Sequence, residues 1–240
     1  MKKTFKFPIA EITPSEKTVL KAQGLSDMSR IDDRILRLAE NAVSTYKKLV
    51  DPVGILADIS ETDFKEVFLG EGNNESDAPL DSIYKSSESM SLFSVTIGKQ
   101  ICTEISSLFE ANDFPSGSML DSAASEGAEL VAEAIDKQYR TFISGSAGFD
   151  SSVGFMRFSP GYCGWHISAQ KRLFEFLKPG EIGIELNDSY LMIPIKSVSG
   201  IIISGKKGIF QFDDLFDFCA ECRDHSCRDR IETIMKTNSY

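Results

Sequence analysis

No stretch of this 240-residue sequence approaches the ~20 consecutive apolar residues that a helix needs to cross a bilayer. Runs such as Val53-Gly54-Ile55-Leu56-Ala57 fall far short. Cations are scarce: Lys+Arg total 26 against 36 Asp+Glu, a formal net charge of −10. Nucleic acids and anionic membranes are held by clustered cations, so neither is an expected partner. The start, Met1-Lys2-Lys3-Thr4-Phe5-Lys6, is basic, but no apolar segment follows it as in a secretory signal. The expected address is the cytoplasm. There the five cysteines are expected to be reduced, metal-bound or redox-active rather than in structural disulfides. Also missing are a G-x-G-x-x-G after a strand, a G-x-x-x-x-G-K-[ST] loop and any internal repeat, so the nucleotide folds built on those motifs gain no support.

What remains is an ordinary globular composition, with 42% hydrophobic and 26% charged residues. The length suits one large domain or two small ones, with enough chain for a core that needs no disulfides. Apolar positions Ile31, Ile35, Leu38, Ala42, Tyr46 and Leu49 repeat at helical spacing and predict a helix over 31–49, with Ser29 as its N-cap and Asp32 and Asp33 in its first turn. Met119–Phe142 reads as a second long helix. It is rich in small residues (Ala123, Ala124, Gly127, Ala128, Ala132, Ala134), which admit either close packing of another element or a ligand against the backbone. Shorter helices are expected over 14–21, 101–109, 168–177 and 213–220. Strands are expected over 53–58, 64–69, 92–97, 155–158, 181–187, 191–194 and 198–204. Residues 5–12 read as extended, Asn112–Gly117 as a turn, and Lys206-Lys207-Gly208 as a hairpin-type turn. Long helices followed by a β-rich stretch indicate an α+β fold rather than a βαβ repeat.

Two places carry chemistry. In the first, Arg157-Phe158-Ser159-Pro160-Gly161-Tyr162, a strand ends in an Arg and enters a tight turn. The guanidinium fork matches a carboxylate. Gly161 lets backbone groups approach a ligand, and Tyr162 offers a ring and a hydroxyl. The turn suits a small molecule with a carboxylate and a flat ring; a purely structural Arg beside a tight turn is the alternative. The second is Cys219-Ala220-Glu221-Cys222-Arg223-Asp224-His225-Ser226-Cys227. The ligand types Cys219, Cys222, His225 and Cys227 suit a zinc ion, an iron–sulfur cluster completed by an outside ligand, or a thiol redox pair. An incidental Cys-rich helix end is the alternative. Trp165 reads as the cap of an apolar pocket or of a partner face. His166 reads as a residue supporting the site, a proton carrier or a surface loop residue. Cys102 reads as core.

The run Arg157–Tyr162 resembles the R-x-A-x-G-Y turn of the activation domain of cobalamin-dependent methionine synthase. Leu173–Leu177, Ile182–Leu186, Ser189–Pro194 and Ser197-Val198-Ser199-Gly200 are similar to that domain's later helix, strand pair and S-V-S-G strand. Leu120–Ala134 resembles its A-E-x-x-A-E helix. The detailed resemblance covers 119–212. It implies a twisted antiparallel sheet with long helices packed around it, spanning 1–212, with 213–240 as a Cys-rich tail to which the resemblance does not extend.

The resemblance also implies an S-adenosylmethionine site. Arg157 would hold the methionyl carboxylate, and the backbone at Ser159 and Gly161 would cradle the nucleoside. Tyr162 would contact it, Glu129 would pair with the ammonium or sulfonium charge, and Phe210 would keep a ring where the family has Tyr. Glu133, one turn on, reads as a solvated charge. The chain departs from the family at Cys163, where the family has Pro, and at Ser168-Ala169-Gln170-Lys171, where the family reads H-T-E-K. The implied function is S-adenosylmethionine-dependent reductive methylation of cobalamin carried by a separate methionine synthase or corrinoid protein, with an unidentified electron donor. The alternatives are a non-catalytic S-adenosylmethionine-sensing or partner-binding module with a structural zinc tail, or a subunit of another corrinoid methyltransferase.

Overall fold

The computed structural model describes residues 1–25, 27, 31–144, 152–211 and 231–235. Its centre is a five-stranded, wholly antiparallel sheet in the order β1 (Lys2–Lys6), β2 (Val53–Asp58), β3 (Ser89–Thr96), β7 (Ser197–Lys206), β4 (Val153–Phe158). β5 (Glu185–Leu186) and β6 (Met192–Ile193) form a separate short hairpin. The central strand β3 and its neighbour β2 are buried along nearly their whole length, as expected when both faces are covered. Edge strand β1 carries Lys2, Lys3 and Lys6, charges that discourage a further strand from adding there.

Strand alternation divides the core in two. Leu56, Phe93, Val95, Phe155 and Ile202 face a layer of helices α1 (Glu16–Ala22), α2 (Asp33–Leu49), α5 (Lys99–Glu110) and α6 (Phe114–Ser144). Ile55, Leu92, Met156, Phe158, Ile201 and Ile203 face α3 (Glu61–Leu69), α4 (Pro79–Lys85) and α7 (Ala169–Leu177). Ile231 and Ile234 also pack into this second layer. Among the described residues, no helix is long and apolar enough to cross a membrane.

Several elements differ from the sequence expectation for local reasons. Residues 64–69 belong to helix α3, not a strand: Ser60 Oγ accepts from Asp63 N at 3.1 Å and donates to its carboxylate at 2.6 Å. That cap starts a helix whose Phe64, Val67 and Phe68 bury one face. The cap of α2 is Asp32, which accepts from Arg34 N at 2.7 Å; Ser29 lies outside the described residues. The expected turn at 112–117 is already the start of α6, where Asp113 Oδ1 accepts from Ser116 N. Of 5–12, β1 ends at Lys6 and Ile9–Glu11 is a 3-10 turn. Lys178 takes a left-handed conformation after α7, and Pro179–Ile182 then forms a 3-10 turn, so only Glu185–Leu186 of the expected 181–187 strand exists. No hairpin forms at 206–208: β7 runs to Lys206 and passes into a 3-10 turn, Lys207–Phe210. The helix expected over 213–220 lies outside the described residues.

Helix α6 is the axis of the first layer, 31 residues long and so about 46 Å. Its small residues accommodate a neighbouring helix rather than a ligand. A Cβ at Gly127 would fall onto the Tyr46 ring of α2. That ring is fully buried, and its hydroxyl donates to Ile12 O at 2.8 Å. Burial pushes the Tyr46 phenol above its ordinary pKa, which keeps it a donor. Gly127→Ala is therefore expected to destabilise the fold by about 1–3 kcal/mol through overpacking, despite alanine's better helix propensity. Urea denaturation of the two proteins measures it.

Candidate functional site

The site begins where two strands stop matching. β4 pairs with β7 from Val153↔Lys206 to Phe158↔Ile201. β7 continues for four more residues, Ser197–Gly200, which pair with β3 on one side only. The departure of β4 is tight: a Cβ on Gly200 would collide with the Phe158 carbonyl oxygen. Only glycine lets the backbone of β4 pass so closely over β7.

The chain leaving β4 forms a turn held from within and from outside. Tyr162 N donates to Ser159 O (3.2 Å), Gly161 N to Trp165 O (2.7 Å) and Trp165 N to Tyr162 O (3.0 Å). Gly161 has φ +95 and Gly164 φ +73, conformations that suit glycine; Cys163 takes φ +54. Trp165 anchors the turn in the second core layer, edge-on to Phe64 at 5.7 Å between ring centroids. It caps neither a pocket nor a partner face. The loop before α4 straps the turn down: Asn74 Oδ1 accepts from His166 N (2.9 Å), and Glu75 N donates to Gly164 O (3.0 Å). His166 Nδ1 meets Ser168 Oγ at 2.8 Å and accepts from Ser168 N at 3.2 Å, so the ring supports the start of α7.

Around this turn lies a cavity of about 690 Å³, within the usual range for small-molecule sites. Arg157 projects from the β4 face that meets α6, as its alternation with Phe155 requires. Its Nε lies 2.8 Å from Asp136 Oδ2, and its Nη2 lies 3.8 Å from Glu129 Oε2. The Arg157 side chain is 10% exposed, Asp136 24% and Glu129 65%. The α6 carboxylates Glu129, Glu133 and Asp136 stand at i, i+4 and i+7, one face of the helix. On the other side of the sheet, Gln170 of α7 and Ser197 and Ser199 of β7 complete the wall. The β5–β6 hairpin supplies Leu191 and Met192, and the segment just after it Ile195. The segment after that hairpin is tied to α6 by Lys196, whose Nζ contacts Asp121 Oδ1 at 2.7 Å and Ser125 Oγ at 2.8 Å. Of the lining side chains, Tyr162, Leu191 and Ile195 are exposed; Ile193, also exposed, lies next to them on the β5–β6 hairpin.

Of the residues singled out in the sequence, Glu129, Arg157, Ser159 and Tyr162 line the cavity together. Gly161 shapes the turn behind them. Phe210 does not join them: it is fully buried in the second core layer, next to Gly154. The 3-10 turn after β7 carries its ring inward. Cys219, Cys222, His225 and Cys227 lie outside the described residues. Among the described residues, no group of three His, Cys, Asp or Glu side chains is placed to hold a metal ion. Glu133, read as a solvated charge, lines the cavity. Asp136 and Gln170 were missed as site residues. Helical spacing from Glu129 points to Asp136. Gln170 has no local signal beyond its departure from the H-T-E-K run.

Residues 74–213 match the family described as vitamin B12 dependent methionine synthase, activation domain. Among solved structures, the crystal structure of the MetH reactivation domain bound to AdoHcy (S-adenosylhomocysteine) superimposes with a TM-score of 0.63 at 14% identity. The alignment covers 99% of this chain and 88% of that one. No curated protein matches the chain.

The Trp165 anchor yields a direct test. Trp165→Ala is expected to cost about 3–5 kcal/mol of folding stability, the usual loss for a buried large aromatic. Chemical denaturation followed by far-UV circular dichroism checks it, since the variant lacks the only tryptophan.

Proposed function

The chain belongs to the vitamin B12-dependent methionine synthase activation-domain family, and on that premise we propose that it binds S-adenosylmethionine and serves the reductive methylation of cobalamin carried by a separate corrinoid protein. The observation that supports this best is the charge pattern of the cavity. One cation, Arg157, lines it together with the carboxylates Glu129 and Glu133, and Asp136 is ion-paired to Arg157. S-adenosylmethionine has the mirror pattern: one carboxylate, with an ammonium and a sulfonium. Arg157 binds the carboxylate, and Glu129 and Glu133 face the cationic groups. Ser159 and the Gly161 turn cradle the nucleoside with backbone groups, and Tyr162 covers it. The MetH reactivation domain was crystallised with AdoHcy, the same scaffold without the methyl and its charge.

The partner's cobalamin, once reduced by an external electron donor, would supply the cobalt that accepts the methyl group, leaving S-adenosylhomocysteine. This chain's part is positioning: it holds the sulfonium at the open mouth of the cavity. The exposed apolar side chains Leu191, Ile193 and Ile195 are where the corrinoid protein docks. In this reading residues 1–212 form the binding body. Cys219, Cys222, His225 and Cys227 in the tail form a metal or redox site that serves the electron delivery.

Isothermal titration with S-adenosylmethionine tests the site. Wild type is expected to bind and to prefer S-adenosylmethionine to S-adenosylhomocysteine, because only the former carries the sulfonium. Arg157→Ala is expected to lose about a hundredfold in affinity, as removal of a charge-assisted bond does; equal binding by the variant defeats the assignment. Docking is tested separately with a reductant, a corrinoid protein and methyl-labelled S-adenosylmethionine. Ile193→Asp changes an exposed residue of the β5–β6 hairpin that is not among those lining the cavity. It is expected to abolish label transfer to cobalt with its S-adenosylmethionine affinity unchanged.

A further inference from the structure

Gln170 sits where its chemistry is unusual for a helix residue. It is 4% exposed, yet its side chain lines the cavity. Ser199 Oγ donates to its Oε1 at 2.6 Å across the packed α7–β7 face. That bond engages the carbonyl end of the amide. The carbonyl end is held by the strand, and the Nε2 end, with two N–H donors, is left for the cavity. An amide donor enclosed by a ligand is costly to desolvate unless the ligand accepts from it.

Its position says which part of a ligand it meets. Arg157 lies on the sheet face covered by α6, with Phe155 and Ile202. Ser199 shares the opposite face with Ile201, and Gln170 reaches it from α7. The cavity therefore wraps around the unpaired Ser197–Gly200 edge of β7, with Arg157 at one flank and Gln170 at the other. A ligand held by its carboxylate at Arg157 that spans the cavity brings its opposite end toward Gln170.

We propose that Gln170, oriented by Ser199, donates an amide hydrogen bond to an acceptor on the nucleoside half of the bound ligand, a purine ring nitrogen or a ribose oxygen, and so sets specificity at that end of the site. This rests on the S-adenosylmethionine reading above. Gln170 selects for a polar nucleoside, whereas Arg157 selects for an amino-acid carboxylate; the two contacts are separable in chemistry and in space.

The experiment uses the full chain and two probes: S-adenosylmethionine, and 5′-methylthioadenosine, which has the nucleoside but no carboxylate. Gln170→Glu keeps an acceptor for Ser199 but removes the donor, and Gln170→Leu removes both. Each variant is expected to lose about tenfold or more in affinity, in line with a buried donor–acceptor pair broken on one side, and by the same factor for both probes. Arg157→Ala is expected to lose S-adenosylmethionine only. Melting temperature and circular dichroism establish that each variant is folded, and Gln170→Glu serves if Gln170→Leu is not. Binding by Gln170→Glu within twofold of wild type overturns the proposal. So does a loss confined to S-adenosylmethionine, which would place Gln170 at the amino-acid end. Failure of wild type to bind either probe overturns the S-adenosylmethionine reading itself, and this assignment with it.

Discussion

The site depends on the close crossing of Phe158 over Gly200. Sheet edges are normally completed by another strand or blunted by charge, and the opposite edge, β1, uses lysines for the purpose. At the β7 edge the neighbouring strand starts properly and then leaves. Because a side chain at position 200 would meet the Phe158 carbonyl, the departure is as tight as backbone sterics allow. The geometry of the candidate site follows from that: the turn that carries Ser159 to Trp165, the unpaired edge of Ser197–Gly200, and the gap that α6, α7 and the β5–β6 hairpin surround without filling.

Rigidity is supplied from both layers. Trp165 and the Asn74–Glu75 loop hold the turn to the second core. The Arg157–Asp136 pair holds the end of β4 to α6. That pair is mostly shielded from water, so breaking it from one side leaves a charge poorly solvated. It also spreads the work of the guanidinium: Asp136 engages Nε, while Nη2 lies toward Glu129 at the mouth. The arginine is oriented before any ligand arrives, which lowers the entropy lost on binding.

How much of this the sequence disclosed depends on the range of the interaction. The Arg157–Tyr162 turn was legible because its chemistry is contiguous: a strand-end cation, a Pro-Gly pair and an aromatic within six residues. Helix α2 was legible from its apolar periodicity. Residues 64–69 were misread because an apolar run of that length fits a strand or a helix, and the deciding signal, the Ser60–Asp63 cap, lies before it. Gln170 and Ser199 are 29 residues apart and become partners only when α7 packs on the sheet. Phe210 was assigned by position in a motif. The 3-10 turn that follows β7 carries its ring into the core instead.

Helix α6 carries two features within three residues of each other: Gly127, interlocked with the Tyr46 ring, and Glu129 at the cavity mouth. Tyr46 in turn fastens Ile12 near the start of the chain. One rigid rod thus joins the binding wall to the segment that packs the N-terminal helices. A ligand that engages only the folded wall draws on the stability of that whole layer, and at a hundred times its dissociation constant adds about 2.7 kcal/mol to it. Occupancy of a cavity at one edge of the sheet therefore becomes resistance to opening in the helices packed on α6, and amide exchange in α1 and α2 would register a ligand that neither helix lines.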